Sequence, residues 1–250
     1  MKTIVQDLAT QYEDEGSGRV VLMLHGWKDT LHTFDALSRE LKHTYRVVRL
    51  DLPGFGQSEI SIQPWNVSAY VNFVNEFIRK LNLDVDTIIG HSLGGRIVIK
   101  GVGSGILKPR RIILISAAGL AKQRGSRNSV LGGVAKIGKV LTVIPPLSIW
   151  RNQLRRKLYE KIGSDYFTAG ALKDTFVAVV REDLSAFAAR ISLPTLIIWG
   201  RNDTITPLEQ GERINSLVAG SVLRVVDGAT HFVQQEKPDR VSTLIKEFSI

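Results

Sequence analysis

The chain has 250 residues, a length that suits one α/β domain or one such domain carrying an insertion. It has no cysteine, which excludes a disulfide framework, a thiolate zinc site and a cysteine nucleophile. The net charge is +9, and its placement is uneven: residues 119–190 hold 13 Lys/Arg against 5 Asp/Glu, while the rest of the chain holds 20 against 19.

The first 16 residues include Asp7, Glu13, Asp14 and Glu15 and no apolar run, so no secretory signal is read there. No stretch approaches the ~20 apolar residues of a membrane span, and a cytoplasmic location is expected. Residues 3–13 predict an antiparallel edge hairpin. Six short runs rich in β-branched residues follow, at 19–24, 45–51, 86–90, 110–116, 194–200 and 221–227. Runs such as Val20-Val21-Leu22-Met23-Leu24 and Thr195-Leu196-Ile197-Ile198-Trp199 are apolar without a break, as in strands buried on both faces of a parallel sheet. Amphipathic stretches at 65–81, 94–101 and 238–248 predict helices between strands, and this alternation predicts a doubly wound α/β sheet.

The alternation breaks near Gly119 and resumes at Leu193. The segment between is helical in character, contains Pro145-Pro146 and carries the excess charge. An insertion between two strands of one sheet predicts a helical lid at 119–190 on a main domain of 1–118 and 191–250. Its basic residues read first as a solvated helical surface and second as an attractor of anionic substrates or membrane surfaces. No interleaving of aromatic and basic residues suggests nucleic acid. There is no phosphate loop, dinucleotide fingerprint or metal cluster, so no cofactor is expected.

Gly90-His91-Ser92-Leu93-Gly94 directly follows the run at 86–90 and opens a helix. A nucleophile exposed at the edge of a sheet needs a strained strand-to-helix turn, and small residues on either side let neighbouring backbone approach. At a helix N-terminus the free N–H groups favour developing negative charge. A serine hydroxyl needs a base, and the base needs an orienting acid. Of five histidines only His231 lies late in the chain, just past the last strand; Asp203 follows the strand before it, with Asp227 as its nearest competitor. In a parallel sheet these loops emerge on the same edge as the serine turn. His25-Gly26-Trp27 follows the first core strand, which assigns the backbone N–H groups of Trp27 and Leu93 to an oxyanion hole. No second ligand stands at a matching spacing from His25, so it reads as structural support.

These motifs resemble the α/β-hydrolase superfamily over almost the whole chain: His25-Gly26-Trp27, Asp51-Leu52-Pro53-Gly54-Phe55-Gly56-Gln57-Ser58, Gly90-His91-Ser92-Leu93-Gly94-Gly95, Gly200-Arg201-Asn202-Asp203 and Gly228-Ala229-Thr230-His231-Phe232. The resemblance implies an eight-stranded, mostly parallel sheet with a helical cap inserted after the sixth strand. It also implies Ser92 as nucleophile, His231 as base and Asp203 as acid. Relatives that open epoxides or remove halides use aspartate where this chain has Ser92, so serine points to acyl transfer. The expected substrate is a small-molecule carboxylic ester; thioesters, carbon–carbon cleavage of β-diketone-type acids and a non-catalytic ligand-binding role are the alternatives. Trp27, Trp150, Phe176 and Phe232 are the candidate pocket residues.

Overall fold

The computed structural model describes residues 1–121 and 170–249. Its strands are β1 (Lys2–Val5), β2 (Leu8–Glu15), β3 (Val20–Leu24), β4 (Arg46–Leu50), β5 (Val85–His91), β6 (Arg111–Ile115), β7 (Thr195–Gly200) and β8 (Val222–Val226), in one sheet of order β1-β2-β4-β3-β5-β6-β7-β8. The helices among the described residues are α1 (Asp35–Leu41), α2 (Val67–Lys80), α3 (Leu93–Gly103), α4 (Lys173–Arg181), α5 (Ser185–Ala188), α6 (Leu208–Leu217), α7 (Val233–Glu236) and α8 (Pro238–Ser249).

The expected hairpin is present. Gln6 and Asp7, at φ 47° and 61°, make the two-residue turn that joins β1 to β2. β2 pairs antiparallel with β4, and every pair from β4 through β3 to β8 is parallel. The continuous apolar runs have the expected cause. Val20, Leu22 and Leu24 of β3 join a cluster with Tyr70, Phe73 and Phe77 of α2 and Ile97 of α3. Val21 and Met23 point the other way and join Leu37 and Leu41 of α1 and Val241 and Leu244 of α8. With both faces of β3 covered, all five of its positions are apolar. α2 starts where the Asn66 side chain accepts from the Ala69 N–H at 3.0 Å, and its buried face follows the helical period.

After β3 the chain passes to β4 on one side and then returns to place β5 on the other. The C-terminal ends of β3 and β5 therefore flank the point where the strand order reverses, which is where open α/β sheets form their crevice.

The longest excursion runs from β6 to β7. Its described ends are tied together: the Leu184 N–H donates to the Gly119 carbonyl at 2.9 Å, and the Ala121 N–H donates to Asp183 Oδ1 at 3.1 Å. Trp150, most of the expected cap and ten of its 13 basic residues lie outside the described residues. Among the described residues no helix is long and apolar enough to cross a membrane.

Candidate active site

β5 ends at His91 and α3 begins at Leu93, so Ser92 makes the turn, at φ 50° and ψ −106°. Such a conformation in a non-glycine residue costs about 1–3 kcal/mol and persists only where the surroundings enforce it. They do so on three sides. The Ser92 N–H donates to the Ile115 carbonyl at 3.2 Å, and its own carbonyl accepts from Arg96 and Ala118, each at 3.2 Å. The two glycines of the motif are required by contact: a Cβ on Gly94 would lie 2.0 Å from the Leu24 carbonyl oxygen, and one on Gly90 would lie 2.6 Å from the Gly94 oxygen.

The loop after β3 leans on this turn. The Gly94 N–H donates to the His25 carbonyl at 3.0 Å, and a Cβ on Gly26 would sit 3.2 Å from the Ser92 Cβ. Trp27, the next residue, is thereby held beside the serine. His25 is buried with both ring nitrogens occupied: Nε2 accepts from the Leu52 N–H at 2.9 Å, which leaves Nδ1 to donate to the Gly26 carbonyl at 2.7 Å. Burial lowers its pKa, so the ring is a neutral brace between the loops after β3 and β4. Among the described residues no group of three His, Cys, Asp or Glu side chains could hold a metal.

The two later loops meet as well. His231 Nδ1 lies 2.8 Å from Asp203 Oδ2, and both side chains are buried. An ionised carboxylate only accepts, so Nδ1 carries a proton, and the neutral tautomer this contact favours has its lone pair on Nε2. Burial pushes the Asp203 carboxyl up, but hydrogen bonds from His231 and Thr206 outweigh it and hold the group below the usual carboxylate range. Its other oxygen, Oδ1, accepts from the N–H groups of Ile205 and Thr206, both at 2.9 Å. Asp227, the competing acid, is exposed and pairs with Arg201 instead.

Three of the four candidate pocket residues can be placed. Trp27 packs between Phe55, with ring centroids 5.0 Å apart, and Phe176, at 5.1 Å. Phe232 lies on the histidine side, 5.5 Å from the His91 ring and 5.3 Å from the His231 ring. Trp150 lies outside the described residues. Sequence reasoning missed Phe55 and Leu172, whose side chain closes on the Gly54 backbone. It also missed Thr206 and the part played by His91, whose Nε2 donates to the His231 carbonyl at 3.0 Å. The spacing Asp203-Thr204-Ile205-Thr206, suited to a side-chain-closed turn, was the available signal for Thr206.

A parallel sheet that delivers a strained serine, a braced glycine loop and a buried carboxylate–imidazole pair to one edge has the architecture of the α/β hydrolases. Residues 21–244 match the alpha/beta hydrolase family, and the chain belongs to it. It is similar to the AB hydrolase superfamily protein YisY of Bacillus subtilis, 28% identical with 95% of this chain and 94% of that protein covered. It is also similar to a 2-hydroxy-6-oxononadienedioate/2-hydroxy-6-oxononatrienedioate hydrolase of Pseudomonas putida, 26% identical with 97% of this chain and 92% of that protein covered. Among solved structures, an esterase from Exiguobacterium antarcticum superimposes with a TM-score of 0.76 at 24% identity, covering 100% of this chain and 99% of that one. A meta-cleavage product hydrolase does so with a TM-score of 0.75 at 22% identity, covering 99% and 97%. At these identities the two structures establish the shared fold.

Proposed function

We propose that the protein is a serine hydrolase that cleaves carboxylic esters through an acyl-enzyme, with Ser92, His231 and Asp203 as its triad. The observation that carries this reading is the buried 2.8 Å bond between Asp203 Oδ2 and His231 Nδ1, which leaves Nε2 to act as base on a ring 4.8 Å from that of His91, the residue before Ser92. Ser92 Oγ attacks the ester carbonyl as its proton passes to Nε2. The tetrahedral oxyanion is held by the N–H groups of Trp27 and Leu93, one such donor being worth roughly 100- to 1000-fold in turnover. The Nε2 proton then goes to the leaving alcohol. Water, deprotonated by the same nitrogen, releases the acid and restores Ser92. Trp27, Phe55 and Phe176 supply an apolar wall for the acyl group, and residues 119–190 act as a cap over it.

A second reading, hydrolysis of a carbon–carbon bond in a β-diketone-type acid, is supported by the likeness to the Pseudomonas putida 2-hydroxy-6-oxononadienedioate/2-hydroxy-6-oxononatrienedioate hydrolase; thioester cleavage uses the same machinery. The test is turnover of p-nitrophenyl butyrate, an acyl thioester and a diketone acid by wild type and Ser92→Ala. The proposal expects the ester to be the best substrate and its turnover to vanish in the variant. Equal rates for both proteins on all three would remove the enzymatic reading and favour a ligand-binding role.

A further inference from the structure

Thr206 stands where the Asp203–His231 pair meets the end of β6. Its Oγ1 lies 2.9 Å from Asp203 Oδ2, 3.1 Å from His231 Nδ1 and 3.1 Å from the Ser116 carbonyl oxygen. The residue is buried and held at both ends of its backbone: its N–H donates to Asp203 Oδ1 at 2.9 Å, and its carbonyl accepts from Trp199 Nε1 at 2.7 Å. Its hydroxyl therefore has three polar neighbours and one proton to share among them.

The bookkeeping of that proton decides what the group can do. Nδ1 carries a hydrogen directed at Asp203, so Thr206 Oγ1 can only accept from Nδ1. Its own proton must go either to Asp203 Oδ2 or to the Ser116 carbonyl. In the first position the hydroxyl gives the carboxylate a second donor on Oδ2 beside the imidazole. In the second it frees Oδ2 for Nδ1–H alone and turns a lone pair toward the same hydrogen. We propose that Thr206 is a positioning residue whose hydroxyl alternates between these two acceptors as His231 gains and loses the serine proton. With His231 neutral, the Thr206 proton helps satisfy Asp203. When Nε2 takes the Ser92 proton and the ring becomes an imidazolium, the Thr206 proton turns to Ser116 and its oxygen becomes a further acceptor for Nδ1–H. No bond to a heavy atom is made or broken, and no proton leaves Thr206. This inference rests on the triad reading above.

The substitutions Thr206→Val and Thr206→Ser separate the hydroxyl from the shape. Valine keeps the β-branch and removes the oxygen; serine keeps the oxygen and removes the methyl. If the hydroxyl serves the pair, kcat on p-nitrophenyl butyrate falls about 10-fold in Thr206→Val with KM nearly unchanged, and Thr206→Ser stays within about 3-fold of wild type. A purely packing role reverses the order, with valine near wild type and serine impaired, and would overturn the proposal. A second readout needs no turnover: the His231 Nδ1–H signal in the proton NMR spectrum. It should shift and exchange faster with water in the valine variant and be kept in the serine variant; an unchanged signal in Thr206→Val overturns the proposal. Ser92→Ala that retains full activity removes the triad reading by itself, and the NMR comparison still decides the role of Thr206.

Discussion

His91 Nε2 donates to the backbone carbonyl of His231 at 3.0 Å, across 140 residues of sequence. The residue just before Ser92 thus ties down the loop that carries His231. The two rings lie 4.8 Å apart. Burial drives the His91 pKa down to about 3, so the donor is a neutral imidazole. Replacing it with leucine removes the donor and leaves a buried carbonyl unpaired, at a cost of about 1–3 kcal/mol. The expected outcome for His91→Leu is a kcat lowered by roughly 10- to 100-fold with a much smaller change in KM, as orientation of the base degrades. Steady-state kinetics of His91→Leu with wild-type kcat would show that the loop is held elsewhere.

The same burial makes stability depend on pH. The native pKa values of His91 and His25 are both depressed by burial. Below the ordinary histidine value of about 6.5 the unfolded chain binds protons that the native state refuses, so unfolding becomes easier as pH falls. Each histidine contributes a slope of about 1.4 kcal/mol per pH unit, which for His91 runs down to about pH 3. Asp203, also depressed, adds its loss only below the ordinary carboxylate range near 4, so it does not act between pH 7 and pH 5. Urea unfolding at pH 7 and pH 5 should show a clear loss at pH 5 and a shallower one in His91→Gln. A flat profile in wild type would contradict the neutral assignment.

Asp203 and Asp227 can be told apart by one pair of variants. Asp203→Asn should lower kcat by up to about 10⁴-fold, because the amide offers a donor to Nδ1 and favours the wrong tautomer. Asp227→Asn, in an exposed pair with Arg201, should leave kcat within about 2-fold. Reversed effects would move the acid to Asp227.

Gly94→Ala tests the packing of the turn. The added Cβ would meet the Leu24 carbonyl at 2.0 Å, backbone against backbone, so β3 and α3 must separate. A loss of more than about 3 kcal/mol or failure to fold is expected. Gly220→Ala is the control: its φ is +72° with nothing within 4 Å, so only backbone strain of about 1–2 kcal/mol applies. Thermal melts compare them, and a Gly94→Ala melting point at or above that of the control would be inconsistent with the contact.

The wall of Trp27 and Phe176 should act on the acyl chain. Phe176→Ala opens that side and should reduce kcat/KM for a butyrate ester about 10-fold while sparing or improving a longer ester such as decanoate. An equal loss across chain lengths would place the acyl group elsewhere.

Much of this was legible before folding. Short runs rich in β-branched residues located the six core strands to within a residue or two, and the runs without a polar break, such as that of β3, mark strands covered on both faces. The order of serine, acid and base, each just past a strand, placed all three loops on one edge, because parallel strands share a direction. The glycines around Ser92 announced close backbone contact.

Other features needed the tertiary structure. Periodicity is silent on strand order, and only the pairing of β3 with both β4 and β5 showed where that order reverses. Chain order favoured Asp203 over Asp227 without showing a contact; the folded chain places Asp203, and not Asp227, in hydrogen-bond contact with His231. Phe55 and Leu172 carry no local pattern that distinguishes them from ordinary apolar residues, and the turn spacing that marks Thr206 does not say which side chain its hydroxyl meets. What the chain determined by itself were local preferences: which segments extend, which coil and where the backbone must turn sharply. The folded state decided which groups share hydrogen bonds: Asp203 and His231 are 28 residues apart and His91 reaches the His231 carbonyl across 140, so they meet only when the sheet brings their loops together.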